Sequence, residues 1–127
     1  MIINDPTVIA ELAELAERYE AALMSNDLST LDAMFWQSPN VVRLGVGENL
    51  YGFEAIAAFR ADRPGGSPLR TVIRTTITSF GSDTAVITVE FRRSGAGTTG
   101  RQSQTWVRLG DGWRIVAAHV SLMSNTH

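Results

Sequence analysis

The residues of this sequence that are best suited to chemistry are a tyrosine and an arginine set among apolar neighbours. Tyr19 follows Leu12 and Ala16 at helical spacing, so its ring should be buried while its hydroxyl needs a hydrogen-bond partner. That partner could be a backbone carbonyl, which would make Tyr19 a structural core residue. It could equally be a bound ligand, and the residues alone leave both alternatives open.

Arg43 lies between Val42 and Leu44, so in a strand its side chain points to the face opposite both. If that face is the interior, the guanidinium leaves water and needs an anion or several acceptors. If it is the outer face, we expect a surface ion pair with Glu48 or Glu90. An inward Arg43 would therefore form a binding site for a carboxylate.

Two further polar side chains, His119 and Ser121, lie near the carboxyl end. Strict strand alternation places them on the same face as Ile115 and Ala117, among apolar neighbours. A lone histidine in such a setting is more often a core residue than a catalytic one. His119 is nevertheless the only histidine outside the tail, and histidine is the side chain that can transfer protons near neutral pH. We therefore keep both residues as substrate-binding candidates.

The segment GRQSQTWVRL, residues 100–109, carries many hydrogen-bonding side chains for a strand. Alternation places Gln102, Gln104 and Trp106 on one face and Arg101 and Ser103 on the other. Because Trp106 shares its face with glutamines, we expect that face to be covered by a second subunit or by the rim of a cavity. We predict that the run serves mainly a homodimer interface, with a cavity role for one or two members.

The glycine-containing stretch GVGENLYGFEAI, residues 45–56, is not a phosphate-binding loop, since it lacks the required Lys-Ser/Thr pair and spacing. We predict that this stretch is a mobile connection that covers the open end of the domain. Tyr51 and Phe53 would anchor it, and Glu48 and Asn49 would lie near the substrate. The complete set of predicted substrate-binding residues is Tyr51, Glu90, Trp106, His119 and Ser121.

The composition excludes several classes of protein. Eleven arginines, with no lysine, are scattered among 13 acids for a net charge of -2, which argues against a nucleic-acid partner. The absence of cysteine excludes disulfides, thiolate metal sites and a cysteine nucleophile, and two histidines cannot furnish a recognised metal site. We predict no metal and no cofactor. Neither a signal peptide nor an 18-residue apolar stretch is present, so we expect a soluble cytoplasmic protein with no membrane partner.

The hydrophobic pattern predicts one α+β domain over residues 1–127. Helices are expected from Asp5-Pro6 to Ser25-Asn26, over Leu28–Phe35 behind an Asp27 cap, and over Phe53–Ala61. A short strand is expected at Val41–Leu44. Four longer strands joined as an antiparallel meander by glycine-containing turns, one of them at 95–97, are predicted at Arg70–Phe80, Thr84–Arg93, Arg101–Leu109 and Trp113–Leu122. We expect residues 124–127 to fray.

This order of elements, ending in GWRIVAAHVS (112–121), resembles the NTF2-like (SnoaL-like) superfamily, whose fold is a cone of three N-terminal helices packed in a curved antiparallel sheet. The resemblance narrows to the AtzH/HpxZ group of small NTF2-like proteins and covers essentially the whole chain. It is carried by ERYEAALMSNDLSTLDAMFW (17–36), VRLGVGENLYGFEAI (42–56), RTVIRTTITSFG (70–81) and GRQSQTW (100–106).

The resemblance implies a role in the degradation of nitrogen-rich compounds such as cyanuric acid or oxalurate. Members of the group are associated with cofactor-free hydrolysis or decarboxylation of small carboxylated ureas, notably 1,3-dicarboxyurea. A tyrosine on the first helix and an arginine on the first strand are tied to that chemistry, and Tyr19 and Arg43 occupy the matching positions. Arg43 would hold a substrate carboxylate and stabilise developing negative charge, while Tyr19 would act as general acid/base or, if ionised, as nucleophile.

Two alternatives remain at this point. A protein of the same fold could be a non-catalytic module that binds an acidic metabolite or accompanies a larger amidohydrolase, because the fold alone does not determine function. A ketosteroid-type isomerase would instead need a carboxylate base deep in an apolar pocket. The strands offer only Glu90 for that role, which argues against the isomerase.

Overall fold

The structure, a computed structural model, describes residues 1–95 and 97–124, which form three helices and one six-stranded sheet. The predicted turn at 95–97 and the predicted frayed tail lie partly outside these described residues. The elements are α1 (Pro6–Ser25), α2 (Leu28–Met34), β1 (Val42–Leu44), β2 (Asn49–Tyr51), α3 (Phe53–Asp62), β3 (Arg70–Phe80), β4 (Thr84–Arg93), β5 (Thr99–Leu109) and β6 (Gly112–Leu122).

Local sequence signals set the ends of the first two helices. The Asp5 carboxylate accepts a hydrogen bond from the backbone N–H of Thr7 at 2.9 Å and begins α1. The helix ends at Asn26, which adopts the left-handed conformation that asparagine tolerates. The Asp27 carboxylate then accepts from the backbone N–H of Thr30 at 3.2 Å and begins α2. None of the helices in the described part of the chain is long and apolar enough to cross a bilayer.

The strands are ordered β2-β1-β6-β5-β4-β3 in one sheet. The last four strands form the predicted antiparallel meander, whereas β1 pairs in parallel with β6 and antiparallel with β2. The sheet is therefore mixed rather than wholly antiparallel. Residues 49–51 form strand β2 where a connection was expected, because three residues are too few to show an alternating pattern.

The inner face of the sheet packs against α1, and the two glutamines of β5 lie on this face. Trp106 is fully buried in the core cluster, and its indole N–H donates to Gln104 Oε1 at 3.0 Å. Gln102 is buried as well. The prediction that this face forms a subunit interface was wrong, because the chain's own core covers it, while Arg101 and Ser103 occupy the exposed outer face.

A β-bulge interrupts the pairing between β5 and β6. Thr105 pairs with Ala117 and Trp106 pairs with Ile115, so Val116 has no partner in the ladder. An extra residue reverses the direction in which all later side chains of the strand point. After Ile115, the inward and outward positions of β6 are therefore exchanged relative to strict alternation, which is a change of phase.

This change of phase decides where His119 and Ser121 point. Ala118 is buried and Val120 lines the interior, so they continue the inner face that Ile115 begins. His119 is exposed on the outer face, and Ser121 follows it there two residues later. The prediction that both residues share a face with Ile115 was wrong, because the sequence pattern carries no sign of the bulge.

Candidate active site

A cavity of about 300 Å³ lies at the end of the sheet where β3 begins and β4 ends. It is enclosed by α1, by the hairpin that joins β1 to β2, and by the segment between α3 and β3. Tyr19 and Arg43 both line it, together with the three further arginines Arg63, Arg70 and Arg93. The structure therefore brings the two principal residues of the sequence analysis into one cavity and adds positive charge that the sequence analysis did not include.

Tyr19 lies on the last third of α1 and is only 5% exposed. Its hydroxyl forms no hydrogen bond with any group of the described residues, yet it is not among the polar atoms sealed away from solvent. In the described part of the chain, no backbone carbonyl accepts from the hydroxyl, which was the structural alternative for this residue. It is available to a molecule that enters the cavity.

Arg43 extends from β1 into the cavity with a side chain that is 12% exposed. Its Nη1 donates to Glu48 Oε2 at 2.9 Å, and Glu48 Oε1 accepts the backbone N–H of Gly47 at 3.2 Å. Gly45 permits this arrangement, because a Cβ at that position would overlap the Glu48 carboxylate. The ion pair thus lies inside the cavity rather than on the open surface, and the other N–H groups of Arg43 remain to meet a ligand.

Arg70 is held rigidly by groups from three elements. Its Nε and Nη2 donate to the two carboxylate oxygens of Glu20 at 2.9 and 2.7 Å, and Nη2 also donates to Gln102 Oε1 at 3.1 Å. The guanidinium lies 4.3 Å above the Phe91 ring centroid, and the side chain is 5% exposed. A paired, hydrogen-bonded and stacked arginine of this kind keeps its orientation when a ligand binds.

Arg63 follows α3 directly and has a different environment. Its Nε is shielded from solvent and has no hydrogen-bond partner among the described residues. The guanidinium lies 5.0 Å from the centroid of the Phe59 ring, and the Arg43 guanidinium lies 5.8 Å from the same centroid. One aromatic ring therefore supports both cations at the cavity.

The electrostatic setting of Arg63 is unfavourable in the free protein. Burial lowers the pKa of its guanidinium, and repulsion from Arg43 and Arg60 lowers it further, while Glu48 and Tyr19 act in the opposite direction. Among the described residues, no carboxylate oxygen lies within 4.0 Å of the Arg63 nitrogens. A partly buried cation without an anionic partner in a cleft is typical of a ligand-binding site.

The remaining sequence candidates do not line this cavity. Trp106 is fully buried in the core, and Tyr51 is 67% exposed on the edge strand β2, where it borders a separate depression. Glu90 is exposed on the outer face of β4 and His119 on that of β6, where Ser121 is partly buried. These five residues lie outside the cavity that contains Tyr19 and Arg43, so the structure does not support their predicted contact with the substrate.

A second, larger groove of about 620 Å³ runs between α1 and β3. Small and apolar residues such as Ala13, Ala16 and Val72 form most of its walls. Its two charged residues are Glu17 and Glu20, so it offers no positive group to an anion. Of these two cavities, only the arginine-lined one is suited to an anion.

Three helices packed on the inner face of a curved sheet, with a polar cavity at one end, define the NTF2-like fold. The AtzH-like family matches residues 1–126, and the chain belongs to that family. This confirms the fold and the AtzH-like family that the sequence pattern resembled. Among proteins with curated functions, none matches this chain.

Solved structures show the same relationship. A protein of unknown function from Pectobacterium atrosepticum is 51% identical, with a TM-score of 0.92 over 96% of this chain and 95% of that chain. A cystatin-like fold protein from Burkholderia xenovorans is 42% identical, with a TM-score of 0.94 over 99% of both chains. An NTF2-like superfamily protein from Salmonella enterica is 28% identical, with a TM-score of 0.76 over 96% of this chain and 95% of that chain.

Proposed function

We propose that this protein is a cytoplasmic enzyme of nitrogen-compound catabolism that hydrolyses or decarboxylates a small carboxylated urea, such as 1,3-dicarboxyurea, without a cofactor. The observation that carries the proposal is the shared cavity of Tyr19 and Arg43. The Tyr19 hydroxyl has no hydrogen-bond partner among the described residues, and it shares the cavity with an arginine whose donors are only partly used. Membership of the AtzH-like family supports the same reaction class.

The cavity charge is suited to the binding of such a substrate. Arg43, Arg63, Arg70 and Arg93 line the cavity, and Glu48 is the one carboxylate among the lining residues that the structure describes. An anion entering this site loses water but gains several charge-assisted hydrogen bonds. A neutral urea would gain much less.

In the decarboxylation route, Arg43 binds an N-carboxylate of the substrate and stabilises negative charge as it develops on the urea. The bond between the carboxylate carbon and the urea nitrogen breaks, its electron pair goes to nitrogen, and carbon dioxide leaves. Tyr19 donates a proton to that nitrogen and recovers one from water. The net change converts R–NH–COO⁻ and one proton into R–NH₂ and carbon dioxide.

In the hydrolytic route, Tyr19 acts as general base toward a water molecule, or as nucleophile if it is ionised, and attack occurs at the same carboxylate carbon. The C–N bond breaks and the nitrogen takes up a proton. Attack by water gives bicarbonate directly, whereas attack by tyrosinate leaves a carbonate on Tyr19 that a water molecule then hydrolyses to bicarbonate and free tyrosine. Both routes leave the same urea product. They differ in whether carbon dioxide or bicarbonate is released first, which rapid-mixing experiments with carbonic anhydrase as an additive can distinguish.

The test is turnover by the purified protein. We expect it to release carbon dioxide or bicarbonate from freshly prepared 1,3-dicarboxyurea well above the spontaneous rate. A rate equal to that of buffer, measured with protein that binds a dicarboxylate such as malonate in a thermal-shift assay, would contradict the proposed reaction.

A second candidate function is a non-catalytic module that binds a small acidic metabolite or accompanies a partner amidohydrolase. The observation that favours it is the outward position of His119, since no imidazole of the described residues lines the cavity. Binding of malonate without turnover would support this module. The isomerase alternative has no comparable support, because Glu90 lies on the outer face and the cavity is rich in arginine.

We also propose that the chain forms a homodimer through the outer face of the sheet. Arg74, Glu90 and Arg101 are cross-strand neighbours on β3, β4 and β5, so charges of alternating sign form a row across this face. A two-fold-related copy can pair its own row with this one. Sedimentation equilibrium is expected to give a dimer, and Glu90→Arg is expected to weaken it. A wild-type monomer at micromolar concentration would contradict the proposal.

A further inference from the structure

The charges at the cavity are not balanced. Arg43 is paired with Glu48, and Arg70 is paired with Glu20. Neither Arg63 nor Arg93 has a carboxylate within 4.0 Å among the described residues. Four guanidinium groups and two carboxylates leave an excess of two positive charges, which is the charge that a dianion would neutralise.

Of the two unpaired arginines, Arg63 has the stronger requirement for a ligand. Its Nε is shielded from solvent and has no hydrogen-bond partner in the described part of the chain. A buried donor that lacks a partner carries a desolvation cost that only a bound acceptor can offset. Arg93 ends strand β4 and lacks this feature.

The backbone that follows Arg63 forms a tight turn. Pro64 follows it directly, and Gly65 and Gly66 adopt positive φ values of 73° and 75°, which turn the chain back toward β3. Gly66 packs closely on α1, since a Cβ there would lie 2.7 Å from the Asn26 side chain. The segment that follows Arg63 is therefore a packed turn beside the cavity rather than a free loop.

Arg63 and Arg43 approach the cavity from different elements but share the Phe59 ring. Their Cζ atoms lie 5.0 and 5.8 Å from its centroid, so they cannot be farther apart than the sum of those distances. That limit is compatible with two carboxylates joined by a short chain. One carboxylate on Arg43 would place the other end of a small molecule within reach of Arg63.

We propose that Arg63 binds the second carboxylate of a dianionic substrate and thereby selects dicarboxylates over monocarboxylates. The proposal rests on the cavity of the proposed function and assigns the residue that recognises the end of the substrate away from the reacting carboxylate. Arg63 is a specificity-determining residue in this account. Its guanidinium gains the hydrogen-bond acceptors and the negative charge that the free protein does not supply.

The test compares two ligands of equal chain length by titration calorimetry on the purified chain. Glutarate carries two carboxylates and pentanoate carries one. We expect the wild-type protein to bind glutarate at least about tenfold more tightly, which is the effect of one charge-assisted pair. Arg63→Gln is expected to weaken glutarate binding more than pentanoate binding and so to bring the two affinities within about twofold of each other. Binding of pentanoate that remains measurable shows that the pocket is intact.

Two further variants control for charge and folding. Arg92→Gln removes one positive charge from the exposed outer face of β4 and is expected to keep the wild-type preference. Arg63→Lys keeps the charge but loses the forked donor pair, so we expect an intermediate preference. A wild-type preference in both Arg63 variants, or an equal loss in Arg92→Gln, would overturn the proposal.

The outcomes separate this inference from the proposed reaction. If the wild-type protein turns over 1,3-dicarboxyurea while Arg63→Gln keeps the glutarate preference, the reaction stands and the role of Arg63 is wrong. If the preference is lost in Arg63→Gln while no turnover occurs, the second carboxylate site stands and the reaction is wrong. A wild-type protein that binds glutarate no more tightly than pentanoate contradicts this inference, and turnover of 1,3-dicarboxyurea then decides the proposed reaction by itself.

Discussion

The Arg43 guanidinium donates to the Glu48 carboxylate at 2.9 Å, and both side chains line the cavity that contains the Tyr19 hydroxyl. Glu48 orients Arg43 but also places a negative charge next to the site of an incoming carboxylate. Substrate binding must therefore proceed beside this anion or displace it. If the cavity binds a carboxylate as proposed, Glu48 therefore helps to set its affinity.

Replacing Glu48 with glutamine should strengthen the binding of anions. Glu48→Gln removes a negative charge close to the carboxylate site, so the affinity for glutarate is expected to rise by about threefold to tenfold. Titration calorimetry at low salt measures the effect, and Glu54→Gln on the exposed side of α3 serves as the control. Equal affinities for Glu48→Gln and the wild-type protein would show that the anion does not bind next to Arg43.

Replacing Tyr19 with phenylalanine should remove the proton-transfer group and leave the cavity shape unchanged. We expect kcat for Tyr19→Phe to fall by about two to four orders of magnitude, while the affinity for glutarate changes by less than about twofold. Steady-state kinetics and calorimetry on the same preparation measure the two effects. A loss of affinity with unchanged kcat would assign Tyr19 to binding rather than to chemistry.

The Phe91 ring closes one side of the cavity, and Gly100 on β5 leaves room for it. A Cβ at Gly100 would overlap this ring, so Gly100→Ala must push Phe91 away from its position against Arg70. Overpacking of this kind is expected to cost about 1–3 kcal/mol of the free energy of unfolding and to weaken glutarate binding. Urea denaturation measures the stability.

The matched control for this substitution is Gly110→Ala. A Cβ at Gly110 meets open space, and the residue does not have a positive φ. We expect little change in stability for this variant. Equal stabilities of the two alanine variants would contradict the packing described around Phe91.

The ion pair between Glu11 and Arg108 ties α1 to β5 and should make stability depend on pH. Arg108 Nη2 donates to Glu11 Oε1 at 2.9 Å, and this hydrogen bond lowers the pKa of the Glu11 carboxyl. Because the pKa is lower in the folded state, the contribution is present above the pKa of an unfolded glutamate and is lost as the pH falls through the folded value. Both side chains are more than a third exposed, so the pair contributes only about 0.5 kcal/mol after solvent screening.

Glu11→Gln tests this contribution. The free energy of unfolding of the variant is expected to be lower than that of the wild-type protein at pH 7, and this deficit is expected to shrink as the pH falls through the lowered folded-state pKa of Glu11. Glu14→Gln, an exposed position on the same helix, should show no such difference. A Glu11→Gln deficit that stays constant over the whole acid range in which the protein remains folded would mean that the pair does not account for it.

The sequence pattern predicted the fold well, since helical periodicity, caps and turn residues are local signals. It also singled out Tyr19 and Arg43, and the structure places both at one cavity. The inward direction of Tyr19 follows from helical spacing alone. The inward direction of Arg43 could not be predicted in this way, because strand alternation says only that neighbouring side chains point to opposite faces.

What the sequence did not predict depends on pairing register. His119 points outward because of one extra residue at Val116, and a bulge leaves no compositional trace. Arg70 and Arg93 meet because the β3–β4 pairing, shifted by a bulge of its own, sets them opposite each other. The turn at residues 81–83 was visible in the sequence and could have indicated that these two arginines lie at the same end of the hairpin.

The most direct test of the account is the kinetics of Arg43→Ala with 1,3-dicarboxyurea. The account predicts that kcat/KM falls by about two to three orders of magnitude, because the group that stabilises charge on the substrate is gone. The variant should unfold at a denaturant concentration close to that of the wild-type protein, since Arg43 lies at a cavity rather than in the core. A folded Arg43→Ala protein that turns over the substrate at the wild-type rate would contradict the central claim.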